Sequence, residues 1–431
     1  MQKNQSKELL VPNVSTPINP GEKLLIFDLS VRGHHPGYIQ HLIEYWQSHK
    51  IPKMLNIVVS PQFLKEHSDV VKFAQSGERE DIDFIPITTE EAQSLNSYQS
   101  KFKRVLRHFQ EWHLLCKYAH QLRADHCLIM YFDKCQLPLA LGAKPPCSFS
   151  GIYFRPTFHY HQLTHYNPTW QDRIQQWRER ITISRVLAHP KLQGLFCLDP
   201  LAVPHLNEFQ HQGKAKHLPD PVKPVEPSRA LLNCCRDRAK IDPSRRVFLL
   251  FGSLTRRKGI YQLLDAIYTL SLEWCQKLCL LLVGESSIAD QLDSKIAEIC
   301  QARPVQIIQH YQFIPEAEIP AYFQLCDVVL APYQRHVGMS GILILAAAFN
   351  KPVLCSNYGL MGEMVQRYQL GLTVDSMRPE EIAAGLSQFL QIPNVSDLCD
   401  PIAMMNFAQQ NSAEEFARII FEHIELTKNN S

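Results

Sequence analysis

The stretch "VVLAPYQRHVGMSGILILAAAFNKPVLCS", residues 328–356, contains the unit from which the fold is built. An apolar run is followed by a glycine turn and by a run of small and apolar residues, and a third apolar run begins after Lys351 and Pro352. This order predicts a buried strand, a helix and another buried strand. The turn, "GMSG" at 338–341, offers free backbone N–H groups at the helix start, where an anion can bind. An ordinary turn before a core helix, with no ligand, is the alternative interpretation.

The same alternation of short apolar runs and longer helical segments continues in both directions along the chain. Continuous apolar strands that alternate with helices are typical of parallel sheets covered on both faces. The sequence therefore predicts an α/β protein with two doubly wound, Rossmann-like domains facing across a cleft, and ligands at the carboxyl ends of the strands. The predicted strands are 23–29, 54–60, 83–87, 126–132, 147–154, 194–199, 246–252, 278–284, 305–310, 328–333, 352–356 and 371–375.

A proline-rich segment separates the two series of strands. Residues 218–228 contain four prolines, which excludes the interior of a strand or helix there. Near the C-terminus, Ser412 and Glu415 form a capping box ahead of an apolar stripe, so we expect a final helix that docks on the first domain. The predicted divisions are an N-terminal domain at 1–220, a C-terminal domain at 221–402 and the returning helix within 403–431.

Composition narrows the class of protein. The 431-residue chain has a net charge of +2, so nothing indicates nucleic acid as a partner. Its thirteen cysteines show no paired CxxC spacing, which favours a reduced, cytoplasmic protein over a disulfide framework or a zinc site. The N-terminal residues are polar and lack the apolar core of a signal peptide. No apolar run is long enough to span a bilayer, so any membrane contact would be peripheral, at the inner face.

A second candidate anion site follows the strand at 246–252. In "FGSLTRRKGIYQLLDAI", residues 251–267, a glycine ends the strand and a basic loop leads into a helix. Arginine and lysine beside a helix start form a strong anion site, although a basic turn in solvent is the alternative. The next strand ends in "LLVGE", where Gly284 permits a close backbone approach and Glu285 can accept from a hydroxyl or face solvent.

The order and spacing of the second half resemble the C-terminal domain of GT-B glycosyltransferases, in particular the retaining family of sucrose-synthase and mannosyltransferase type. The resemblance covers about residues 246–390 and rests on five motifs. In the first half it extends to the alternating architecture, a glycine loop after the first strand, and "HLPDPV" at 217–222, which is similar to the family's "IPNGV". The five motifs are "FGSLTRRKGIYQLLDAI", "LLVGE", "YQFIPEAEIPAYFQLCDVVLAPY", "SGILILAAAFNKPVLCSNYGLMGEMV" and "LGLTVD".

The resemblance implies a donor site for a nucleotide-diphosphate sugar on the second domain, with no metal ion or other cofactor. Lys258 matches the family's lysine on the diphosphate. Ser253 stands where the family has an arginine, so Arg256 or Arg257 would replace it. The implied donor-binding residues are Gly252, Arg256, Lys258, Gly284, Glu285, Gly338, Met339, Ser340 and Gly341.

One departure from the family affects sugar recognition. Many members carry two glutamates eight residues apart, one on the sugar and one on the ribose, and these positions are Val337 and Leu345 here. Backbone N–H groups of the 338–341 turn and the hydroxyl of Ser340 would then take over recognition. Because both carboxylates are absent, the alternative interpretation is a protein that binds a nucleotide sugar without catalysing its transfer.

In the first domain, the resemblance makes Gly33, His34 and His35 the loop that approaches the acceptor and the donor phosphate. The alternative is a pair of solvated histidines in a turn. It also implies a histidine after a middle strand that contacts the sugar. His159 is the candidate, with Arg155 as a neighbouring cation.

Asp133, at a strand end, would orient an acceptor hydroxyl or cap a helix. His161 and His165 also allow a metal site to be considered, but their spacing from His159 does not match the usual ligand patterns.

Three classes of function remain open at this point. The first is transfer of a sugar, with retention of configuration, from a nucleotide donor to a saccharide, lipid or small-molecule acceptor. The second is a non-catalytic nucleotide-sugar binder or partner protein. The third is an enzyme of another chemistry on the same scaffold, such as an epimerase, which requires acidic residues in the cleft for proton transfer.

Two segments of the first domain, 100–123 and 168–185, are basic and have helical periodicity. In the second, an apolar stripe of Trp170, Ile174, Trp177 and Ile181 runs among arginines. We favour the interpretation that the stripe packs on the protein's own core. Weak peripheral contact with anionic lipid is the alternative.

Overall fold

The computed structural model describes residues 22–77, 80–95, 101–209, 213–223 and 225–428, without the side chains of 101, 102, 104 and 425–428. The polar N-terminal segment, residues 1–21, lies outside this part of the chain. The two series of strands form two separate parallel sheets, each with helices on both faces.

The first domain contains a seven-stranded sheet in the order β3-β2-β1-β4-β5-β6-β7, with every neighbouring pair parallel. Its strands are β1 (Lys23–Asp28), β2 (Met54–Val59), β3 (Ile82–Pro86), β4 (His126–Ile129), β5 (Ser148–Tyr153), β6 (Leu192–Cys197) and β7 (Ala215–His217). Its helices are α1 (His35–Ser48), α2 (Pro61–Glu66), α3 (Ser68–Gln75), α4 (Thr89–Ser94), α5 (Lys101–Gln121), α6 (Gln136–Ala140), α7 (Trp170–Leu187) and α8 (Ala202–Glu208), with 3₁₀ turns at Phe132–Lys134 and Thr157–Gln162.

The second domain contains a six-stranded parallel sheet in the order β10-β9-β8-β11-β12-β13. Its strands are β8 (Arg246–Phe251), β9 (Leu278–Val283), β10 (Gln306–His310), β11 (Val328–Ala331), β12 (Val353–Ser356) and β13 (Gly371–Val374). Its helices are α9 (Arg229–Ala239), α10 (Ile260–Thr269), α11 (Leu272–Lys277), α12 (Ala289–Ala302), α13 (Ile319–Leu325), α14 (Ile342–Ala348), α15 (Gly359–Arg367), α16 (Pro379–Gln391) and α17 (Pro401–Gln410), with 3₁₀ turns at Arg256–Lys258, Glu316–Glu318 and Val395–Leu398.

Burial on both faces of each sheet explains why the strands are continuous apolar runs. In β1, Leu24 and Ile26 belong to the apolar cluster on one face, whereas Leu25 and Phe27 belong to the cluster on the other. All twelve predicted strands are present, each within two or three residues of its predicted bounds. The sequence missed β7, because its three residues include the polar Lys216 and give no apolar run.

A last helix, α18 (Ala413–Lys428), packs on the first domain. The ring of Phe416 lies 4.9 Å from that of Tyr38 on α1. The predicted boundary at 403 is displaced, because Phe407 on α17 packs against Tyr368 of the second domain, with 4.6 Å between ring centroids. The return crossing is therefore at 411–412, beside the proline-rich crossing, where Val222 N donates to the carbonyl of Asn411 over 3.0 Å.

All thirteen cysteines are free, and most are buried in the sheets or the helices that cover them. A cytoplasmic location stays a prediction. Among the described residues, no helix is both long and apolar enough to cross a membrane.

Candidate active site

The carboxyl ends of strands from both sheets border a cleft of about 570 Å³ between the domains. The first domain contributes the loop after β1, the ends of β4, β5 and β6, and the start of the linker. The second contributes the turn after β8 and the segment between β11 and α14. The residues that line the cleft are Arg32, Gly33, His34, His35, Tyr38, Tyr131, Phe154, Arg155, Tyr160, Leu198, Asp199, Asp220, Arg257, His336, Val337, Gly338, Met339 and Leu360.

Glycines allow the turn after β8 to pack tightly against its neighbours. Gly259 has a φ of +74°, and a Cβ there would lie 2.0 Å from the carbonyl oxygen of Pro332. Gly284, with a φ of +128°, would place a Cβ 2.4 Å from the carbonyl of Gly252. Both positions require glycine, because a side chain would clash with backbone. The basic turn is therefore held against the segment that follows β11.

Lys258 is a buried cation beneath the second-domain wall. It is 7% exposed, its ammonium donates to the carbonyl of Phe251, and it lies 4.9 Å from the centroid of the Tyr333 ring. In the part of the chain that the structure describes, no carboxylate lies within ion-pair distance of it. Burying a charge without a counter-charge is costly, so a buried ammonium at a cleft favours an anionic ligand.

Arg257 is the arginine of this turn that reaches the cleft. It stacks over Tyr333 and donates to Nδ1 of His336 over 3.2 Å. Burial, together with the nearby cations, lowers the pKa of His336, so its ring is a neutral acceptor near pH 7. The guanidinium of Arg256 points away from the cleft, where it donates to Gln291 and stacks on Tyr261. The structure thus brings Arg257, not the predicted Arg256, to the cleft.

The 338–341 turn forms the rest of this wall. Gly338 and Met339 line the cleft, and the hydroxyl of Ser340 lies 3.2 Å from that of Tyr333. Gly341 precedes α14, where a Cβ would lie 3.8 Å from a carboxylate oxygen of Asp220 across the cleft. Among the described groups, none accepts from the backbone N–H of Met339, Ser340 or Gly341. These N–H groups are thus available to a ligand.

The other predicted donor residues lie farther from the cleft. Gly252 and Gly284 pack against each other behind the turn, and the side chain of Glu285 is exposed and does not line the cleft. Val337, at one position where the family has a glutamate, lines the cleft, whereas Leu345, at the other, lies on α14 and packs against the core of the second domain.

On the first-domain wall, His35 is paired with a buried carboxylate at the end of β1. Its Nδ1 lies 2.7 Å from Oδ2 of Asp28, and since a carboxylate only accepts, Nδ1 carries the hydrogen. Nε2 is then the free acceptor of the neutral ring. Phe154 stacks on the imidazole and Tyr131 meets it edge-on, so both the orientation and the tautomer of His35 are fixed. Gly33 and His34 complete the predicted loop, and both line the cleft.

His159 is not part of the cleft surface. It is 1% exposed, and its Nε2 lies 2.8 Å from Oδ2 of Asp199, which does line the cleft. The 3₁₀ turn that carries His159 directs the ring inward, so in this structure it does not lie where a sugar would contact it. Arg155 does line the cleft, and its guanidinium donates to the hydroxyl of Tyr131 over 3.0 Å.

Asp133 supports the loop that carries Arg155. Its carboxylate accepts from the backbone N–H groups of Phe154 and Arg155 at 2.9 and 3.0 Å. It lies in a separate cavity of about 510 Å³ between α5 and α7, not in the cleft, which argues against direct contact with an acceptor in the cleft. Burial raises the pKa of Asp133, although these hydrogen bonds oppose the shift.

Glu179, on α7, is a partly buried acid that the sequence analysis missed. It accepts from the hydroxyl of Tyr153 and from both the backbone N–H and the hydroxyl of Thr157, at the start of the turn that carries His159. Burial raises the pKa of Glu179 to about 7. The sequence evidence for this role was weak, because a single acid among the arginines of 168–185 is typical of a solvent-exposed residue.

Three further carboxylates were also missed as site residues: Asp199 and Asp220, which line the cleft, and Asp28, which lies buried behind His35. Asp28 and Asp199 follow apolar runs at predicted strand ends, which is a signal that sequence can supply. Asp220 accepts from the hydroxyl of Tyr38, a contact between residues 182 positions apart. Burial, followed by the charge of Asp220, raises the pKa of Tyr38, so it stays a donor. Nothing in the sequence indicates that pairing.

The histidines considered as metal ligands do not cluster. His161 and His165 are exposed, whereas His159 is buried against Asp199. In the described ranges, no group of three or more His, Cys, Asp or Glu side chains is arranged to hold a metal ion.

Comparison with known proteins finds a sequence family that the second domain resembles. The profile described as "Glycosyl transferases group 1" matches residues 245–391, about a third of the chain, from β8 to α16. Among curated protein sequences, none is significantly similar to the chain.

Solved structures resemble the whole chain at low sequence identity. Sucrose-phosphate synthase from Thermosynechococcus elongatus has a TM-score of 0.67 and 15% identity over 95% of this chain and 100% of its own. Anabaena HepE in complex with UDP and glucose has a TM-score of 0.61 and 14% identity over 94% and 99%. A glycosyltransferase from Rickettsia africae has a TM-score of 0.63 and 15% identity over 95% and 99%. These likenesses confirm the predicted fold class, the GT-B arrangement of two Rossmann-like domains.

The raised pKa of Glu179 makes stability depend on pH. Folding favours the protonated acid, so this contribution is fully present below the unfolded pKa near 4.5 and is lost as pH rises through about 7. From pH 5 to pH 8 we expect wild type to lose about 2–3 kcal/mol of unfolding free energy relative to Glu179→Gln, at 1.36 kcal/mol per pKa unit. Urea denaturation at both pH values measures this. Glu285→Gln, at an exposed glutamate, is the control, and parallel pH profiles of wild type and Glu179→Gln would contradict the assignment.

Proposed function

We propose that the protein is a glycosyltransferase that moves a sugar from a nucleotide-diphosphate donor to an acceptor hydroxyl. The observation that carries this proposal is a pair of cations in the turn after β8. Arg257 lines the cleft, and Lys258 lies buried beneath the same wall without a carboxylate within ion-pair distance in the described chain. They lie in the segment that matches the group 1 glycosyltransferases. The UDP and glucose of the Anabaena HepE structure add support, since that protein has the same fold.

The second-domain wall holds the donor in this proposal. Lys258 and Arg257 bind the diphosphate, and the free N–H groups of the 338–341 turn add hydrogen bonds. As the bond between sugar and phosphate breaks, negative charge accumulates on the leaving diphosphate, and fixed cations stabilise it. We propose that these groups neutralise the charge without a metal ion.

His35 serves the acceptor in this proposal. Asp28 holds its Nδ1–H, so Nε2 is free to accept the hydrogen bond, and then the proton, of an acceptor hydroxyl. The arrangement is that of a histidine base oriented by a buried carboxylate. Its place in the cleft, opposite the second-domain cations, is suitable for contact with the hydroxyl.

Arg155 supplies a further cation near the reacting centre, and Asp133 positions it by holding its backbone. For His159 the geometry favours an indirect role. Its hydrogen bond to Asp199 fixes a carboxylate of the cleft wall, and that carboxylate is placed to meet the positive charge of an oxocarbenium-like sugar. His159 is then a positioning residue.

A non-catalytic nucleotide-sugar binder is the second candidate. It is favoured by Val337 and Leu345, which stand where the resembling family has glutamates for the sugar and the ribose. Turnover of a panel of nucleotide-diphosphate sugars separates the two candidates, because a binder takes up the nucleotide without releasing the sugar.

The donor site is tested by three single substitutions in one turn. Lys258→Ala should raise the Kd for UDP by about 10- to 150-fold, which corresponds to the 1.5–3 kcal/mol of a charge-assisted hydrogen bond. Arg257→Ala should weaken binding in the same direction. Arg256→Ala is the matched control, since its side chain points away from the cleft. Isothermal titration calorimetry measures all three, and equal affinity of wild type and Lys258→Ala would refute the site.

The acceptor side is tested at Asp28. Asp28→Asn keeps the shape but can reverse the tautomer of His35, so kcat should fall by about 10² or more, within the range for a positioned acid or base. Affinity for UDP should stay close to that of wild type, because neither residue binds the diphosphate in this proposal. His49→Ala, at the exposed far end of α1, is the control. Wild-type turnover in Asp28→Asn would remove His35 from the mechanism.

We also propose retention of configuration, as the resemblance of the second domain implies. In such a transfer the acceptor approaches the face from which the phosphate leaves, so no protein nucleophile is required. Proton NMR of the sugar first released when an active donor is hydrolysed should show the anomer present in the donor. The opposite anomer would exclude retention while leaving glycosyl transfer intact.

A further inference from the structure

The outer face of α7 carries large apolar side chains that the fold leaves in solvent. Trp170 and Trp177 are 69% and 66% exposed, and Ile174 and Ile181 share their side of the helix. The buried face of α7 is a different one, formed by Gln176, Ile183, Val186 and Leu187. The expectation that the tryptophan stripe packs on the core is therefore wrong. A contiguous apolar patch of this kind on a soluble domain marks a surface for interaction.

A neighbouring helix extends the patch. Val105, Leu106 and Phe109 on α5 are also exposed. Val105 and His108 line the same cavity as Gln175 and Arg178 of α7, so the two helices border one opening. We call the exposed apolar residues of both helices the α5–α7 face; they are Val105, Leu106, Phe109, Trp170, Ile174, Trp177 and Ile181.

The exposed charges around the tryptophans are mostly positive. Exposed arginines alternate with the apolar side chains of α7, and within the described chain none of them has a carboxylate partner. The two acids of α7 are engaged elsewhere: Asp172 in a capping box with Thr169, and Glu179 with Tyr153 and Thr157. The exposed arginines are Arg173, Arg178, Arg180 and Arg185.

We propose that the α5–α7 face docks on an anionic lipid surface. Tryptophan and isoleucine enter the boundary between headgroups and acyl chains, while the arginines bind lipid phosphates. Charge complementarity favours an anionic bilayer over an apolar protein partner, since four exposed arginines flank the tryptophans and none of them forms an ion pair within the described chain. Attachment then has an apolar part that resists salt and an electrostatic part that does not.

The position of the face also bears on the acceptor, in a step that rests on the proposed function. Arg155 lines both the cavity between α5 and α7 and the interdomain cleft. A headgroup held at the face therefore lies beside the candidate active site. The acceptor class that fits this geometry is a hydroxyl carried by a membrane lipid.

Flotation of the full chain with vesicles tests docking directly. Wild type should float with vesicles that contain phosphatidylglycerol and much less with pure phosphatidylcholine, and part of the binding should survive high salt. The double variant Trp170→Ala/Trp177→Ala should lose at least tenfold in vesicle affinity. Arg173→Gln/Arg178→Gln should lose mainly the salt-sensitive part. Phe313→Ala, at an aromatic residue 72% exposed on the second domain, is the matched control and should bind like wild type.

Tryptophan fluorescence gives a second readout on the same proteins. Of the other three tryptophans, Trp46 and Trp112 are buried and Trp274 is half-buried on α11 of the second domain, so the part of a blue shift that the double variant loses reports on α7. Wild type should show the shift and the double tryptophan variant should not. Absence of binding by wild type, or equal binding by the double variant, would overturn the proposal. Concentration-dependent self-association that the double variant abolishes would instead assign the face to a second copy of the chain.

Calorimetry with UDP separates the two proposals. The tryptophan variant should bind UDP like wild type, because α7 contributes no donor residue. Loss of vesicle binding with intact UDP binding supports docking whether or not the protein transfers sugar. If wild type binds vesicles and hydrolyses donors but transfers no sugar to lipid extracts that contain hydroxylated headgroups, the acceptor step fails and docking stands.

Discussion

Parallel strand pairing is the constraint on which the rest of this structure depends. Because every pair in both sheets is parallel, the carboxyl ends of the strands in each sheet lie at one edge, and the two edges face each other across the cleft. The loops that follow β1, β5, β8 and β11 meet there although they are far apart in sequence. Chemistry on one wall can therefore differ from chemistry on the other while both act on one ligand.

The two walls do differ in how charge is balanced. On the first domain, carboxylates at strand ends are satisfied by donors: Asp28 by His35, Asp199 by His159, and Asp220 by Tyr38. On the second, Lys258 has only a carbonyl and an aromatic ring as partners in the described chain. One wall is thus fixed before a ligand arrives, since its hydrogen bonds are made. The other remains short of negative charge, which an anionic ligand supplies.

Sequence patterns predicted the fold well because burial on both sheet faces produces apolar runs that are visible without coordinates. The site was predicted less fully, because a sequence pattern does not show in which direction each side chain points. Arg256 and Arg257 are adjacent in a 3₁₀ turn, where successive side chains differ by about 120°, so one lines the cleft and the other does not. The stripe of Trp170 and Trp177 has helical periodicity whether it faces core or solvent. His159 follows a strand as expected, but its turn directs the ring inward.

The core of the first domain includes a helix, α18, that is synthesised only after the whole second domain. Phe416 contacts Tyr38 and Phe421 contacts Trp46, so residues synthesised after the second domain complete the core of the first. Until then an apolar side of α1 stays open while the whole second domain is being made, and exposed apolar surface of this kind promotes aggregation. A nonsense mutation just after residue 411 would therefore keep α17 and the second domain but remove α18, leaving the core of the first domain incomplete. For the same reason, a pause in translation before α18 is made prolongs the exposure of this apolar surface. A chaperone that binds the nascent chain would cover it during that time.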